Sequence, residues 1–445
     1  MPRQLSPAQS LVLSFAGLVA IGTLLLFLPV SAGARPVTLV DAVFTSTSAV
    51  CVTGLIVLDT PTELSTTGQI ILLLLIQAGG LGYMTLSTGI LAAFGKRMSF
   101  KARVTLQESL NIETREGLVR FTFVVLKTTL LFELTGAAIL TLWWWPEFGL
   151  GRSAYLGLFH AVSAFNNAGF SLFSDNLIGF RGDVVVNGVV TGLVILGGVG
   201  FLVIREAIEI RSFRRMSLHA RMVLVITGGL LLGSTVALWA VERSNPATLR
   251  DLALGESWLA AWFQAVVPRT AGFNSIDIGA MRPVSLFLVM ALMFIGASPG
   301  STGGGVKTTT FGVTVLALAA TVRGLPEPVV MGRRLGADLV QKSFFICLIA
   351  FLGLNVVAGM LLLAEGRELL RTLFETTSAF GTVGLSMGQP GTVLSLSGQF
   401  SPAGKLLISA MMFAGRVGPL TLAVALARRS QVVRFRYPEG RVAIG

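Results

Sequence analysis

Apolar residues recur along the 445-residue chain in a three-part rhythm. A long apolar stretch comes first, at residues 11–30, 118–145, 218–241 and 339–364. Each approaches or exceeds the about 20 residues a helix needs to cross a hydrocarbon layer about 30 Å thick. A shorter apolar segment follows at 39–50, 154–165, 252–267 and 369–380, polar toward its end and closed by a glycine motif. A second long stretch, at 68–94, 184–210, 283–322 and 402–427, completes each round. The rhythm predicts an all-α integral membrane protein with eight transmembrane helices and four short re-entrant helices. It divides the chain into units at 1–95, 96–215, 216–325 and 326–430, with a tail at 431–445.

The short segments share a likeness: DAVFTSTSAVCVTG, LGLFHAVSAFNNAG, LAAWFQAVVPRTAG and RTLFETTSAFGTVG. Apolar or aromatic residues at helical spacing give way to polar ones and then glycine. The glycines Gly54, Gly169, Gly272 and Gly384 lie 115, 103 and 112 residues apart. Extended backbone at mid-membrane depth leaves N–H and C=O groups without water, costing several kcal/mol each, unless protein or a wet cavity surrounds it. Four such segments solve that problem together around one central pathway. A unit of two spans returns the chain to the side it left, so the repeats are parallel and the predicted pseudo-four-fold axis runs along the membrane normal. Rings of backbone carbonyls replace a cation's hydration shell. Aiming consecutive carbonyls one way requires positive φ, which glycine adopts at little steric cost.

Composition supports the membrane reading: 53% of residues are hydrophobic and 13% charged, with a mean hydropathy of +0.78. The net charge of +12 would fit nucleic acid, but its placement argues otherwise. Of the 34 Lys and Arg, 21 fall at Arg3, 96–120, 205–221, 323–342 and 428–441. These are every second connection, as the positive-inside rule expects of cytoplasmic loops that meet anionic lipids. Both termini are therefore expected inside, and nucleic acid is not an expected partner. Cys51 and Cys347 lie far apart in apolar sequence, so neither a disulfide nor a metal site is expected. His160 and His219 lack ligand-spaced companions and are assigned packing or helix-end roles. No catalytic constellation is present, and the chain reads as a non-enzyme.

The third inner span is abnormal. Its residues Gly296, Ala297, Ser298, Pro299, Gly300, Ser301, Thr302, Gly303, Gly304 and Gly305 would cost a helix about 1 kcal/mol per glycine and more at the proline. The span is predicted to break there into two helices joined by a loop. The other inner spans carry what read as milder bends, QAGGLGYMT, LGGVGFLV and FAGRVGPLTL. GSTGGGVKT is not a nucleotide loop, because Val306 separates the glycine from Lys307. Arg416 falls within the fourth inner span at the matching level, and an intramembrane arginine must be paired or wet.

The chain resembles the Ktr/Trk/HKT superfamily of potassium transporters over nearly all its length, and within it most resembles the Ktr membrane subunit. The filter of that superfamily keeps only the glycine of the potassium-channel signature, as here. By this resemblance the K+ selectivity filter comprises Cys51, Val52, Thr53 and Gly54; Asn166, Asn167, Ala168 and Gly169; Arg269, Thr270, Ala271 and Gly272; and Gly381, Thr382, Val383 and Gly384, acting chiefly through carbonyls. Arg269 must then point away from the pathway or pair, with Asp277 and Glu375 as candidate partners. The 296–305 segment with Lys307 becomes an intramembrane gating loop, and Arg416 a positive barrier bonded to its carbonyls. The resemblance further implies a bacterial plasma-membrane homodimer on a cytosolic RCK-type, KtrA-like nucleotide-binding ring. Nucleotide would act through that ring, as no nucleotide site is read on this chain, and sodium dependence is implied as well. Trk-type relatives carry extra N-terminal helices, whereas here the first unit starts within about ten residues, and RYPEGRVAIG resembles the Ktr subunit's tail. The rival expectation is a secondary transporter of another solute. It would need inverted repeats and intramembrane carboxylates, for which Glu133 is the best candidate.

Overall fold

The structure, a computed structural model, describes residues 6–82, 118–388 and 394–426. Arg3, the far end of the first inner span, the basic stretch through residue 117 and the tail at 431–445 lie outside the described residues. In chain order the first helices are α1 (Pro7–Phe27), α2 (Leu39–Val50) and α3 (Thr66–Leu81). Next come α4 (Leu118–Phe148), α5 (Leu150–Phe165), α6 (Val184–Val199) and α7 (Phe201–Ile210). They are followed by α8 (Leu218–Glu242), α9 (Leu254–Val266), α10 (Pro283–Phe294) and α11 (Thr308–Val322). A small hairpin of β1 (Val329–Val330) and β2 (Arg333–Arg334) leads to α12 (Ala337–Glu365), α13 (Leu369–Gly381), α14 (Pro402–Val417) and α15 (Pro419–Leu426).

Local chemistry sets the helix starts. Side chains of Ser6, Thr38, Ser65, Asp183, Ser217 and Ser401 accept from first-turn amides of α1, α2, α3, α6, α8 and α14. These donors have no helical partner and would otherwise stay unpaired. Proline stands in the first turn of α1, α10 and α14, where its missing N–H costs nothing. Among the described residues four helices, α1, α4, α8 and α12, are long and apolar enough to cross a membrane. Their outward faces expose large apolar side chains such as Leu24, Leu142, Leu232 and Leu363, as lipid contact requires.

The inner helices correct one expectation. The bends read as mild are near right angles, 98° for both α6–α7 and α14–α15. Each turns at a glycine, Gly200 (φ 100°, ψ 139°) or Gly418 (φ 92°, ψ 135°), and α3 ends at Gly82 in the same conformation (φ 77°, ψ 135°). A Cβ there would oppose that geometry, so glycine permits a turn that ends the helix rather than curving it. The third inner span breaks where predicted, into α10 and α11.

Three more glycines seat the short helices. A Cβ on Gly79, Gly197 or Gly415 would strike the carbonyl of Val50, Phe165 or Phe380, the last apolar residue of α2, α5 or α13 before its loop. The backbones therefore touch directly, the use small residues serve in membranes. Beyond these contacts, α3 packs on α5, α6 on α9, α10 on α13 and α14 back on α2. The four short helices are thus gathered into a closed ring, each with one fully buried phenylalanine, Phe44, Phe159, Phe263 or Phe374.

Candidate functional site

The loops following α2, α5, α9 and α13 meet at the centre. A Cβ on Gly54 would strike the Ala168 carbonyl, one on Gly169 that of Ala271, one on Gly272 that of Val383, and one on Gly384 that of Thr53. Each glycine therefore lies against the carbonyl that precedes the next glycine, in chain order, and the fourth returns to the first.

Within each loop two residues are left-handed. The glycines have φ of 91°, 70°, 74° and 93°, and two residues earlier Val52, Asn167, Thr270 and Thr382 have φ of 57°, 61°, 78° and 50°. Alternating handedness turns successive carbonyls to one side. For the β-branched Val52, Thr270 and Thr382 it costs about 1–2 kcal/mol each, held in place by the surrounding bonds. All four were among the expected filter residues, but their left-handed backbone was not foreseen, and only asparagine among these residue types favours it.

Sequence reasoning also missed the serines that brace the loops. Ser48 Oγ accepts from Gly54 N (3.1 Å) and donates to Leu55 O (2.8 Å). Ser163 Oγ donates to Phe170 O (2.8 Å), and Ser378 Oγ accepts from Gly384 N (3.1 Å). The signal was present, since a Ser-Ala pair precedes three of the four loops. Backbone bonds repeat the pattern: Thr53 N to Ser48 O (2.7 Å), Ala168 N to Ser163 O (2.7 Å) and Val383 N to Ser378 O (2.9 Å). The third loop departs from it. Ala271 N reaches Val267 O (2.9 Å), one residue nearer in sequence, and Phe263 rather than Trp262 is fully buried. That loop is one residue shorter, across Pro268, and has a valine where the others have serine.

Arg269 forms no ion pair with either expected partner. Asp277 caps Gly279 N (2.8 Å), and Glu375 is bonded to serines. The guanidinium instead turns outward, where Nη2 donates to Thr308 Oγ1 (3.0 Å) at the start of α11, and it borders a small void with Thr227 and Leu231. Thr308 Oγ1 donates in turn to Gly296 O (3.2 Å). Loop 2 has its own outward anchor. Asn166 Nδ2 donates to Glu133 Oε1 (2.8 Å) and Gln77 Oε1 (3.0 Å), and Gln77 Nε2 to Glu133 Oε2 (3.2 Å).

The 296–305 loop lies against one side of the ring. Thr302 Oγ1 donates to Phe165 O (3.3 Å), Gly304 N to Thr382 Oγ1 (3.0 Å), and a Cβ on Gly303 would meet Thr270 Oγ1. Ser298 N bonds Gly198 O (3.0 Å), Thr302 N bonds Gly197 O (3.2 Å) and Gly305 N bonds Gly415 O (3.3 Å), which tie the loop to the α6 and α14 breaks. Its ends meet where Ile295 bridges Val306. Lys307 Nζ donates to Gly303 O (2.6 Å). Arg416 donates to the carbonyls of Thr302 and Gly79 and, at 3.1 Å, to that of Gly80. Opposite the loop, a cavity of about 480 Å³ opens on all four glycines and is lined also by Asp59, Asp175, Asp277 and Arg371. Between cavity and loop, the ring brings together the backbone carbonyls of its four loops and the C-terminal, partly negative ends of four short helices. Such a place suits a bare cation.

Residues 7–433 match the TrkH family, described as cation transport protein. The Ktr system potassium uptake protein B of Bacillus subtilis is 41% identical over 446 residues, covering 99% of this chain and 97% of that protein. The protein of the same name from Vibrio alginolyticus is 39% identical, with 98% and 94% covered. The potassium/sodium uptake protein NtpJ of Enterococcus hirae is 36% identical, with 100% and 98% covered. Among solved structures, the potassium transporter TrkH from Vibrio parahaemolyticus superposes with a TM-score of 0.75 at 20% identity, over 96% of this chain and 86% of that one.

Proposed function

The chain belongs to the TrkH family of cation transport proteins, and from that premise we propose that it takes up K+ across a bacterial plasma membrane through the ring of four loops. On this reading the molecule is four parallel repeats of outer, pore and inner helix about a pseudo-four-fold axis, eight crossings in all. The observation that carries it is the cyclic contact of Gly54, Gly169, Gly272 and Gly384, each against the carbonyl before the next.

A hydrated cation enters the 480 Å³ cavity, where Asp59, Asp175 and Asp277 attract it. It sheds water as the carbonyls of the four tetrads take over its coordination. The pore-helix C-termini add partial negative charge without a fixed counter-ion that would hold the ion too tightly. Beyond the ring the 296–305 loop obstructs the path. Lys307 and Arg416 make that obstruction positive as well as steric, and Arg416 fastens it to α3. Conduction requires the loop to withdraw, giving up its bonds to Thr382, Phe165 and Arg416.

The relatives' names carry the rest of the proposal. A Ktr system implies a second component, read here as a cytosolic RCK-type ring that binds the nucleotide and docks on the basic 205–221 and 323–342 connections of a homodimer. The Enterococcus protein's name includes sodium, in keeping with a Na+ dependence. Both termini are placed in the cytoplasm.

Rb+ uptake into proteoliposomes tests the ring. Glycine-to-serine changes at the four positions should each cut selective flux by roughly tenfold or more, since left-handed strain alone costs about 1–2 kcal/mol per residue before the clash is counted. Undiminished selective flux in all four variants would overturn the reading.

A further inference from the structure

Each buried phenylalanine of the short helices is followed by a polar residue: Thr45, His160, Gln264 and Glu375. All four are buried, and the ring treats them unequally. Glu375 Oε2 accepts from Ser386 Oγ (2.6 Å), while Oε1 accepts from Ser397 Oγ (2.5 Å) and Ser397 N (2.9 Å). His160 Nδ1 lies 2.8 Å from Leu156 O, which can only accept, so the proton sits on Nδ1. Nε2 is then an acceptor for the Ser171 hydroxyl (3.0 Å), which it shares with Asn176 O (3.3 Å), and it faces Leu172 N (3.4 Å).

Ser171 and Ser386 each stand two residues beyond the ring glycine, and each also accepts from the amide two residues further on, Phe173 N (3.0 Å) and Gly388 N (3.1 Å). The same latch is thus built twice, in loops 2 and 4. Loops 1 and 3 lack it. Their equivalent positions are Ile56 and Asn274, and the polar ends of Thr45 and Gln264 have no hydrogen-bond partner among the described residues. These two loops lean on their neighbours instead. Ile56 N donates to Ser395 Oγ (2.9 Å) and Ile56 O accepts from Ser395 N (3.1 Å) of the loop 4 extension. Asn274 O accepts from Leu177 N (3.1 Å) and Asn274 N faces Asn176 Oδ1 (3.4 Å) of the loop 2 extension.

We propose that Glu375 and His160 are the positioning residues that set cation selectivity, fixing the outer ends of loops 2 and 4 directly and those of loops 1 and 3 through them. The outer mouth is therefore two-fold, with two latched loops each carrying one dependent loop. A carbonyl ring discriminates by the number and placement of its oxygens. Releasing a latch lets the ring contract around a smaller ion without removing any ligand. This inference rests on the ring being the filter.

The experiment compares Rb+ and Na+ uptake by the full-length protein in liposomes. Glu375→Gln leaves one carbonyl oxygen for two serines, and His160→Leu leaves the Ser171 hydroxyl to donate only to Asn176 O, at the longer distance of 3.3 Å. Ser386→Ala and Ser171→Ala break the same latches with little change of volume, should the first pair fail to fold. Each should lower the Rb+ to Na+ ratio by roughly tenfold, the scale of one lost hydrogen bond to a charged or buried group. Glu375→Gln with Ser386→Ala should lose less than the sum of the two changes, because they share the Glu375–Ser386 bond. Thr45→Val should leave the ratio unchanged. An unaltered ratio in folded latch variants, alongside selective flux cut in the four glycine-to-serine variants, would overturn the latch and spare the filter; undiminished selective flux in all four glycine variants would remove both.

Discussion

Arg416 occupies a register that Gly80 and Gly198 hold in the first two units, within Gly-Gly-Leu-Gly, Gly-Gly-Val-Gly and Gly-Arg-Val-Gly. Where the others have no side chain, the fourth sends a guanidinium to three carbonyls, two from α3 and one from the 296–305 loop. Those carbonyls gain donors and the charge gains partners, so the arginine is tolerated at membrane depth. On the proposed reading it is the latch of the gate. Arg416→Ala should raise Rb+ leak several-fold in the absence of any regulatory partner. Arg416→Lys should restore closure only in part, since an ammonium lacks the planar fork. Equal leak in wild type and Arg416→Ala would remove Arg416 from the gate. The residue scale was unevenly legible in the sequence. Glycine declares positive φ by its type, and an intramembrane arginine declares a need for partners. Val52, Thr270 and Thr382 declare neither, because threonine and valine are ordinary everywhere except in the conformation the ring imposes on them.

The short helices end where apolar periodicity gives out, and α2 has the predicted bounds, 39–50. Outer spans were equally readable, because about 20 apolar residues in lipid have only one economical backbone. What the pattern did not carry was the sharpness of the 98° turns. Gly200 and Gly418 read as glycines in apolar helices, and only the neighbours that the chain meets there decide between a curve and a corner. The one-residue shortening of loop 3 was hidden for a related reason, since aligning on the glycines places Trp262 over Phe44. Helix-to-helix contact makes its own prediction. Gly197→Ala would press a methyl into the Phe165 carbonyl, an overpacking expected to cost about 1–3 kcal/mol. Gly228→Ala, on α8 with nothing near its Cβ, should instead stabilise by about 0.5–1 kcal/mol. Thermal unfolding in detergent separates the two, and a Gly197→Ala midpoint equal to or above wild type would contradict the direct backbone contact.

Across the whole molecule the seam between the last unit and the first is closed by an ion pair. Lys405 Nζ on α14 meets Asp41 Oδ1 on α2 at 2.7 Å, and the Asp41 side chain is 7% exposed. Thr38 Oγ1 donates to the other oxygen (2.8 Å). Lys405→Met strands that carboxylate and should cost about 3 kcal/mol; pairing it with Asp41→Asn should recover most of the loss, as removing both charges of a buried pair generally does. Melting of the single and double variants checks this, and a double variant no more stable than Lys405→Met would show that the pair does not act as a unit. The closing contact of the ring also has a meaning in time. A chain is made from its N-terminus, and early segments settle before later ones exist. Thr53 is among the first residues of the ring to leave the ribosome, and the glycine that covers its carbonyl, Gly384, is the last. From the making of Gly272 until that of Gly384 the ring is therefore a three-sided trough, and the protein becomes capable of enclosing an ion only when its final quarter turns back to meet its first.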